Sequence, residues 1–346
     1  MGVFYRWFGR PLLKFQDSER AHLRSLKLLR LFSNNPLTRS GLRLAYKPRK
    51  SVPVEVFGHV YSHPFGLAAG MDKNAIALRG WESTGLAFIE IGGVTQHRQD
   101  GNPKPRMFRA DATQALVNRM GFNNIGVNKV VERLNYNKGV IVGGNIGKNK
   151  ITDFNNSIQD YLICFEKLYP HVNYFAINVS SPNTEKLRDL QQKDLLKNLL
   201  EAIQKKNKSY SFPKPVLLKI GPDLSQDQLI DVIEVIAETS LDGIIATNTT
   251  LSRDNLTSSK DLVNQKGGLS GRPISEKSTN IIKFIHEKSN GSIPIIGVGG
   301  IMNPDDAIEK IKAGASLIQI YSGFVYSGPS IVKKINKAII DYRLNQ

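Results

Sequence analysis

PVLLKIGP, residues 215–222, is a short apolar run closed at both ends by proline, with a single lysine near its C-terminal end. A run of this length without polar alternation reads as a strand buried on both faces, as in a parallel sheet covered by helices. Seven more runs of the same kind occupy Gly66–Gly70, Ala87–Val94, Gly139–Gly147, Tyr174–Ser181, Gly243–Thr250, Pro294–Gly300 and Leu317–Gly323. Most are separated by amphipathic segments that predict helices, among them Asp194–Gln204, Asp227–Thr239, Lys277–Lys288 and Pro304–Ala313. Eight buried strands alternating with helices predict a (β/α)₈ TIM barrel, an α/β fold, over residues 48–346. Residues 1–47 form a separate N-terminal helical arm in this reading. An open, doubly wound sheet is the alternative.

The polar residues favour the barrel. The runs end, in order, at Lys73, Gly92-Gly93, Asn145, Asn178 with Ser181, Lys219, Thr247 with Asn248, Gly299-Gly300 and Tyr321-Ser322-Gly323. Each alone is an ordinary turn or surface residue. In a barrel all of them converge on one mouth, where such enzymes build their sites. Gly299-Gly300 and Ser322-Gly323 would offer unhindered backbone N–H groups to a phosphate. Other phosphate and metal motifs fail. Gly147-Lys148 lacks the earlier glycine of a P-loop, since position 142 is Val, and Asn149 stands where Ser or Thr is required. Gly297-Val298-Gly299 lacks the third dinucleotide-fold glycine, since position 302 is Met. His59 and His63 have no HExxH glutamate between them, so no metal site is expected.

The chain has 346 residues, 40% of them apolar, which suffices for a large core. One cysteine, Cys164, excludes a disulfide framework. No apolar run reaches membrane-spanning length, and no secretory signal is expected. The net charge of +17 is uneven: residues 1–50 carry 12 Lys/Arg against Asp17 and Glu19. Two amphipathic helices are expected there. The first holds Phe4, Trp7 and Phe8. The second runs from Ser18 to Phe32, with Leu23, Leu26, Leu29 and Phe32 at helical spacing among basic residues. Basic, aromatic amphipathic helices suit an anionic membrane surface; a basic cap on the body or a mitochondrial-type presequence are the other readings. No nucleic-acid recognition motif accompanies the charge. A phosphate-bearing cofactor beside lysines and amides, without metal or nucleophilic cysteine, suggests flavin redox chemistry.

AAGMDKN (68–74), GNPKPRMFR (101–109), NRMGFNN (118–124), NIGKNK (145–150), INVSSPNT (177–184), LLKIGPDL (217–224), ATNTT (246–250), GGLSGRP (267–273), PIIGVGGI (294–301) and GASLIQIYSG (314–323) together resemble the dihydroorotate dehydrogenases, specifically the quinone-dependent class 2. The likeness runs in order from SERAH (18–22) to the last strand. It implies one FMN per chain and oxidation of (S)-dihydroorotate to orotate in pyrimidine biosynthesis. Hydride passes to the flavin while a base takes a proton from the substrate. In class 2 that base is a serine, here Ser181.

The resemblance also assigns the surrounding residues. Asn118, Asn178, Asn183 and Asn248, with Thr249, match the substrate clamp, together with the backbone of Arg119, Met120, Gly121 and Phe122. Lys73 matches the lysine that reaches flavin and substrate carboxylate, and Lys219 the one beside the flavin pyrimidine ring. Flavin contacts are implied for Ala69, Gly70, Met71, Asp72, Asn145, Asn178 and Thr247. They are implied as well for Gly271, Gly300, Tyr321 and Ser322, while Gly93 stands where the family usually has Ser or Thr. His22, Arg109 and Tyr321 match the inner end of a quinone tunnel under the arm. Peripheral attachment to the cytoplasmic face of a bacterial cell membrane is expected, rather than to a mitochondrial inner membrane, with a monomer and no nucleic-acid partner. A soluble dehydrogenase using fumarate or NAD, and a flavin-less binding barrel, are the rivals.

Overall fold

The eight apolar runs become eight parallel strands that close on themselves. In the computed structural model, which describes residues 17–137, 139–184, 187–254 and 256–345, the barrel follows the order β3 (Phe65–Leu67), β4 (Phe88–Val94), β7 (Ile141–Ile146), β8 (Tyr174–Asn178), β9 (Val216–Ile220), β10 (Gly243–Ala246), β12 (Ile295–Val298) and β13 (Leu317–Ile320), which returns to β3. Side chains alternate between two interiors. Ile89, Ile91, Phe175, Ile177, Val216, Leu218, Ile244 and Ile318 point outward into the large core shared with the helices. Phe88, Tyr174, Leu217, Ile296 and Leu317 fill the inside of the barrel. Both interiors are apolar at this level, so the runs show no polar alternation.

A hairpin of β1 (Val54–Val56) and β2 (His59–Tyr61) closes the N-terminal end of the barrel, where Tyr61 packs edge-on against Phe88. A second sheet lies at the opposite end. It joins β5 (Met107–Ala110), β6 (Ala115–Asn118) and β11 (Gly268–Gly271), antiparallel throughout.

In chain order the α-helices are α1 (Ser18–Asn34), α2 (Pro36–Tyr46), α3 (Leu78–Ser83), α4 (Val127–Leu134), α5 (Ser157–Leu168), α6 (Lys193–Lys208), α7 (Gln226–Thr239), α8 (Lys260–Val263), α9 (Ser275–Lys288), α10 (Pro304–Lys312), α11 (Ser322–Ser327) and α12 (Ser330–Leu344). Capping boxes at Ser225–Gln228 and Asn303–Asp306 start α7 and α10 where the sequence changes from loop to helical period.

The arm is a helical hairpin. Asp17 accepts from the Arg20 amide at 3.0 Å to start α1, and Asn35 caps α2 ahead of Pro36 at its first turn. The first expected arm helix, with Phe4, Trp7 and Phe8, lies outside the described residues. α1 crosses α3 at Gly80, where an added Cβ would sit 2.5 Å from Leu29 Cγ, so only glycine lets the two helices approach this closely. Leu26, 3% exposed, belongs to the barrel's own core. Among the described residues no helix is long and apolar enough to cross a membrane.

Candidate active site at the barrel mouth

The C-terminal ends of the strands surround one pocket. Of the residues expected to bind flavin, Ala69, Gly70, Lys73 and Gly93 line it from one side. Asn178, Lys219, Thr247, Gly271, Gly300, Tyr321 and Ser322 complete the wall. Of the expected substrate residues, Asn118, Met120, Gly121, Phe122, Asn183, Asn248 and Thr249 line the same pocket, and Ser181 stands among them.

Four expected residues send their side chains elsewhere. Asp72 is wholly buried and accepts from the Ile76 and Ala77 amides and from Trp81 Nε1, so it shapes the turn after Gly70. Met71 packs in the core and borders a second cavity. The Arg119 guanidinium turns outward to Gln265, Lys266 O and Pro105 O, over the Phe108 ring. Asn145 lies just below the pocket, joined to Asn178 and Glu90.

The amides form a connected set. Asn178 Nδ2 donates to Asn145 Oδ1 at 3.0 Å, and Asn248 Nδ2 donates to Ser180 Oγ at 3.1 Å. Asn183 Nδ2 reaches Asn118 Oδ1 at 3.3 Å, linking the loop after β8 to the end of β6. Ser181 Oγ, 6% exposed, accepts from the Asn183 amide at 3.3 Å. Arg188 fastens this loop from below through Ser180 O, Thr249 O and Asp223. Interlinked amides of this kind hold a fixed pattern of donors and acceptors, and a ligand that leaves one unpaired is disfavoured.

Lys73 donates to Asn123 Oδ1. Burial and, less strongly, the neighbouring Arg106 lower its pKa to about 7 against the opposing pull of Glu19 on α1. Glu19 reaches from the arm to the barrel and accepts from Arg106 Nε and Nη2 at 2.9 and 2.6 Å. His22, also on α1, is held neutral by burial and by Lys73, with a pKa of about 4.

The second cavity, of about 510 Å³, lies between the arm and the barrel. Its lining includes His22, Arg109 and Tyr321, which were expected together, with Leu26, Leu29 and Phe32 of α1 and Trp81 of α3. Tyr321 borders both cavities, and burial raises its phenol pKa to about 12. It therefore stays protonated and available as a hydrogen-bond donor across the neutral range.

Comparison with known proteins identifies the family. The sequence profile of the family Dihydroorotate dehydrogenase matches residues 51–342. The chain belongs to the dihydroorotate dehydrogenase family. It is thus an oxidoreductase of a flavin-dependent family. Among its relatives, the dihydroorotate dehydrogenase (quinone) of Christiangramia forsetii is 49% identical over 97% of this chain and 99% of its own length. That of Proteus mirabilis is 46% identical over 96% and 99%. The ligand-free DHODH of Eimeria tenella superposes with a TM-score of 0.82 at 33% identity, covering 91% of this chain and 95% of its own.

Motif reading overlooked Glu90, Gln319, Glu19 with Arg106, Asn123 and Ser270. The signal for the first two was present: an acid and an amide inside otherwise apolar strand runs, AFIEIGGV and LIQIYSG.

Proposed function

We propose that this dihydroorotate dehydrogenase family member oxidises (S)-dihydroorotate to orotate in de novo pyrimidine biosynthesis, holds FMN in the mouth pocket and passes the electrons to a membrane quinone. The observation that carries this reading is the pair of cavities meeting at Tyr321, one lined by amides, lysines and Ser181, the other apolar and roofed by the arm.

The residues present fit a flavin nucleotide. An added Cβ at Gly300 would lie 2.2 Å from Ser275 Cα, leaving backbone alone to face a phosphate. Gly271, at φ +98°, brings its bare backbone to the same wall, and Ser270 and Ser322 share a hydrogen bond of 2.9 Å beside it. At the pocket floor the buried Gln319 Oε1 has no partner, an acceptor suited to a ring N–H. Gly300 and Ser322 would hold the phosphate, with Lys73, Asn178, Lys219 and Thr247 around the ring. The bound flavin supplies hydride acceptance and electron storage.

The chain's own residues do the rest. Asn118, Asn178, Asn183 and Asn248, with Thr249, orient the ring of the substrate, and Lys73 meets its carboxylate. Ser181 Oγ takes the proton, a demand on a weak base that its burial from water serves. His22, Arg109 and Tyr321 receive the quinone head at the inner end of the apolar cavity. Exposed Leu28, Leu31, Leu37 and Leu44 on the basic arm rest on the cytoplasmic face of a bacterial membrane.

The test is direct. The purified full chain should be yellow, bleach on adding dihydroorotate without oxygen, and recover its colour with a long-tailed quinone. Bleaching that recovers only with fumarate or NAD would favour a soluble dehydrogenase; no bleaching would refute the substrate.

A further inference from the structure

Glu90 is a fully buried carboxylate. It lies in β4 between Ile89 and Ile91, has 0% of its surface exposed, and does not line the mouth pocket. Two residues that do line the pocket donate to it: Lys219 Nζ at 2.8 Å and Gln319 Nε2 at 2.7 Å. Asn145 Nδ2 adds a third bond at 2.9 Å and the Tyr174 hydroxyl a fourth at 3.3 Å. The carboxylate thus sits one layer beneath the pocket floor, and its partners form that floor.

This changes what Lys219 can do. A solitary ammonium under the ring would act as a full positive charge, favouring the negative charge a flavin gains on reduction. Lys219 is instead matched by an opposite charge at contact distance in a low-dielectric interior, where such pairs interact strongly. We propose that Glu90 is a positioning residue that sets the reduction potential of the bound flavin through Lys219: it fixes the ammonium against the pocket floor and offsets most of its field. The floor then presents the positive end of a dipole in place of a free cation. Gln319 and Asn145 reinforce the arrangement by occupying the carboxylate's remaining lone pairs.

The inference rests on the flavin reading above, and the experiment separates the two. The intact chain is purified with its flavin, and the two-electron midpoint potential is measured for the native protein, for Glu90→Gln and for Glu90→Gln/Lys219→Met. Glutamine keeps the shape of glutamate, and its carbonyl oxygen can still accept from Lys219 Nζ and Asn145 Nδ2.

Glu90→Gln should raise the potential by at least the equivalent of tenfold in favour of the reduced form, about 30 mV for two electrons. The double variant removes both charges and should return to within about 30 mV of native. If Glu90→Gln fails to fold, the double variant alone decides, because replacing a whole buried pair is tolerated far better than breaking it. A native potential in Glu90→Gln overturns the proposal. So does a double variant more than about 30 mV below native, since Lys219 would then act as an unscreened cation. A native chain that binds no flavin would refute the cofactor reading instead.

Discussion

Lys73 shows how a residue's surroundings turn a motif position into a chemical property. With its pKa at about 7, the free site holds this lysine about half protonated at neutral pH. A carboxylate ligand favours the charged form. Below pH 7 the ammonium is already present and affinity is flat; above it, binding must take up a proton, and the Kd for orotate should rise up to about tenfold per pH unit. Titrating orotate into the flavin-loaded chain from pH 6 to 9 checks this, and a flat profile would mean that Lys73 remains cationic throughout. Ser181 is tested by Ser181→Ala, which should keep flavin bound but slow its reduction by dihydroorotate by about 10²–10⁴-fold in stopped flow, the usual cost of a lost base. Ser181→Cys should retain part of the activity with a shifted pH optimum, since a thiol ionises more readily than a hydroxyl.

The contact of α1 with α3 forms part of the wall of the second cavity, through Leu29 and Trp81. Arg43 and Lys47 pair with Glu82 at 2.7 and 2.6 Å, but both cations are well exposed, and such pairs contribute only about 0.2–1 kcal/mol each. Leu26 in the core and the Leu29–Gly80 crossing hold the arm more firmly; burying one leucine contributes about 1.5–3 kcal/mol. Gly80→Val should therefore push α1 away from α3. Turnover with a long-tailed quinone should fall several-fold while anaerobic flavin reduction stays near native, and Leu29→Ala in the same chain should restore part of the loss by vacating the space. Equal losses in both half-reactions would show that the crossing supports the whole barrel and not the cavity alone.

Across the whole molecule, charge and apolar exposure coincide on the arm. Residues 1–50 carry a net +10, and Leu37 and Leu44 of α2 are 83% and 79% exposed. Binding to anionic liposomes should weaken steadily as salt rises from about 0.05 to 0.5 M, because screening shortens the reach of surface charge. Removing residues 1–47 should abolish most of that binding and most long-tailed quinone turnover, while a water-soluble acceptor still works. Every residue named in the mouth pocket lies beyond Lys47, which suggests a freely separable arm. Glu19 on Arg106 and Leu26 in the core argue otherwise. Truncation should therefore also lower the melting temperature and weaken orotate binding by removing the anion that supports Lys73.

The barrel was legible in the sequence because a strand buried on both faces is written locally: PVLLKIGP and AFIEIGGV are largely apolar whatever their partners, and amphipathic segments such as Asp227–Thr239 separate most of the runs. The mouth residues were legible for the same reason, as polar positions at the ends of such runs. What needed the tertiary structure was everything set by distant pairing or by direction. The sheet of β5, β6 and β11 aligns Gly268 with Asn118, and four-residue strands joined across such a separation leave no period to read. Motif position placed Asp72 and Arg119 beside the pocket but could not say that Asp72 turns into its own loop and Arg119 toward Gln265. The charge of Lys219 was plain from the sequence. That it meets Glu90, 129 residues earlier in the chain, was decided only by barrel closure, which brings both inward-facing side chains to the same level.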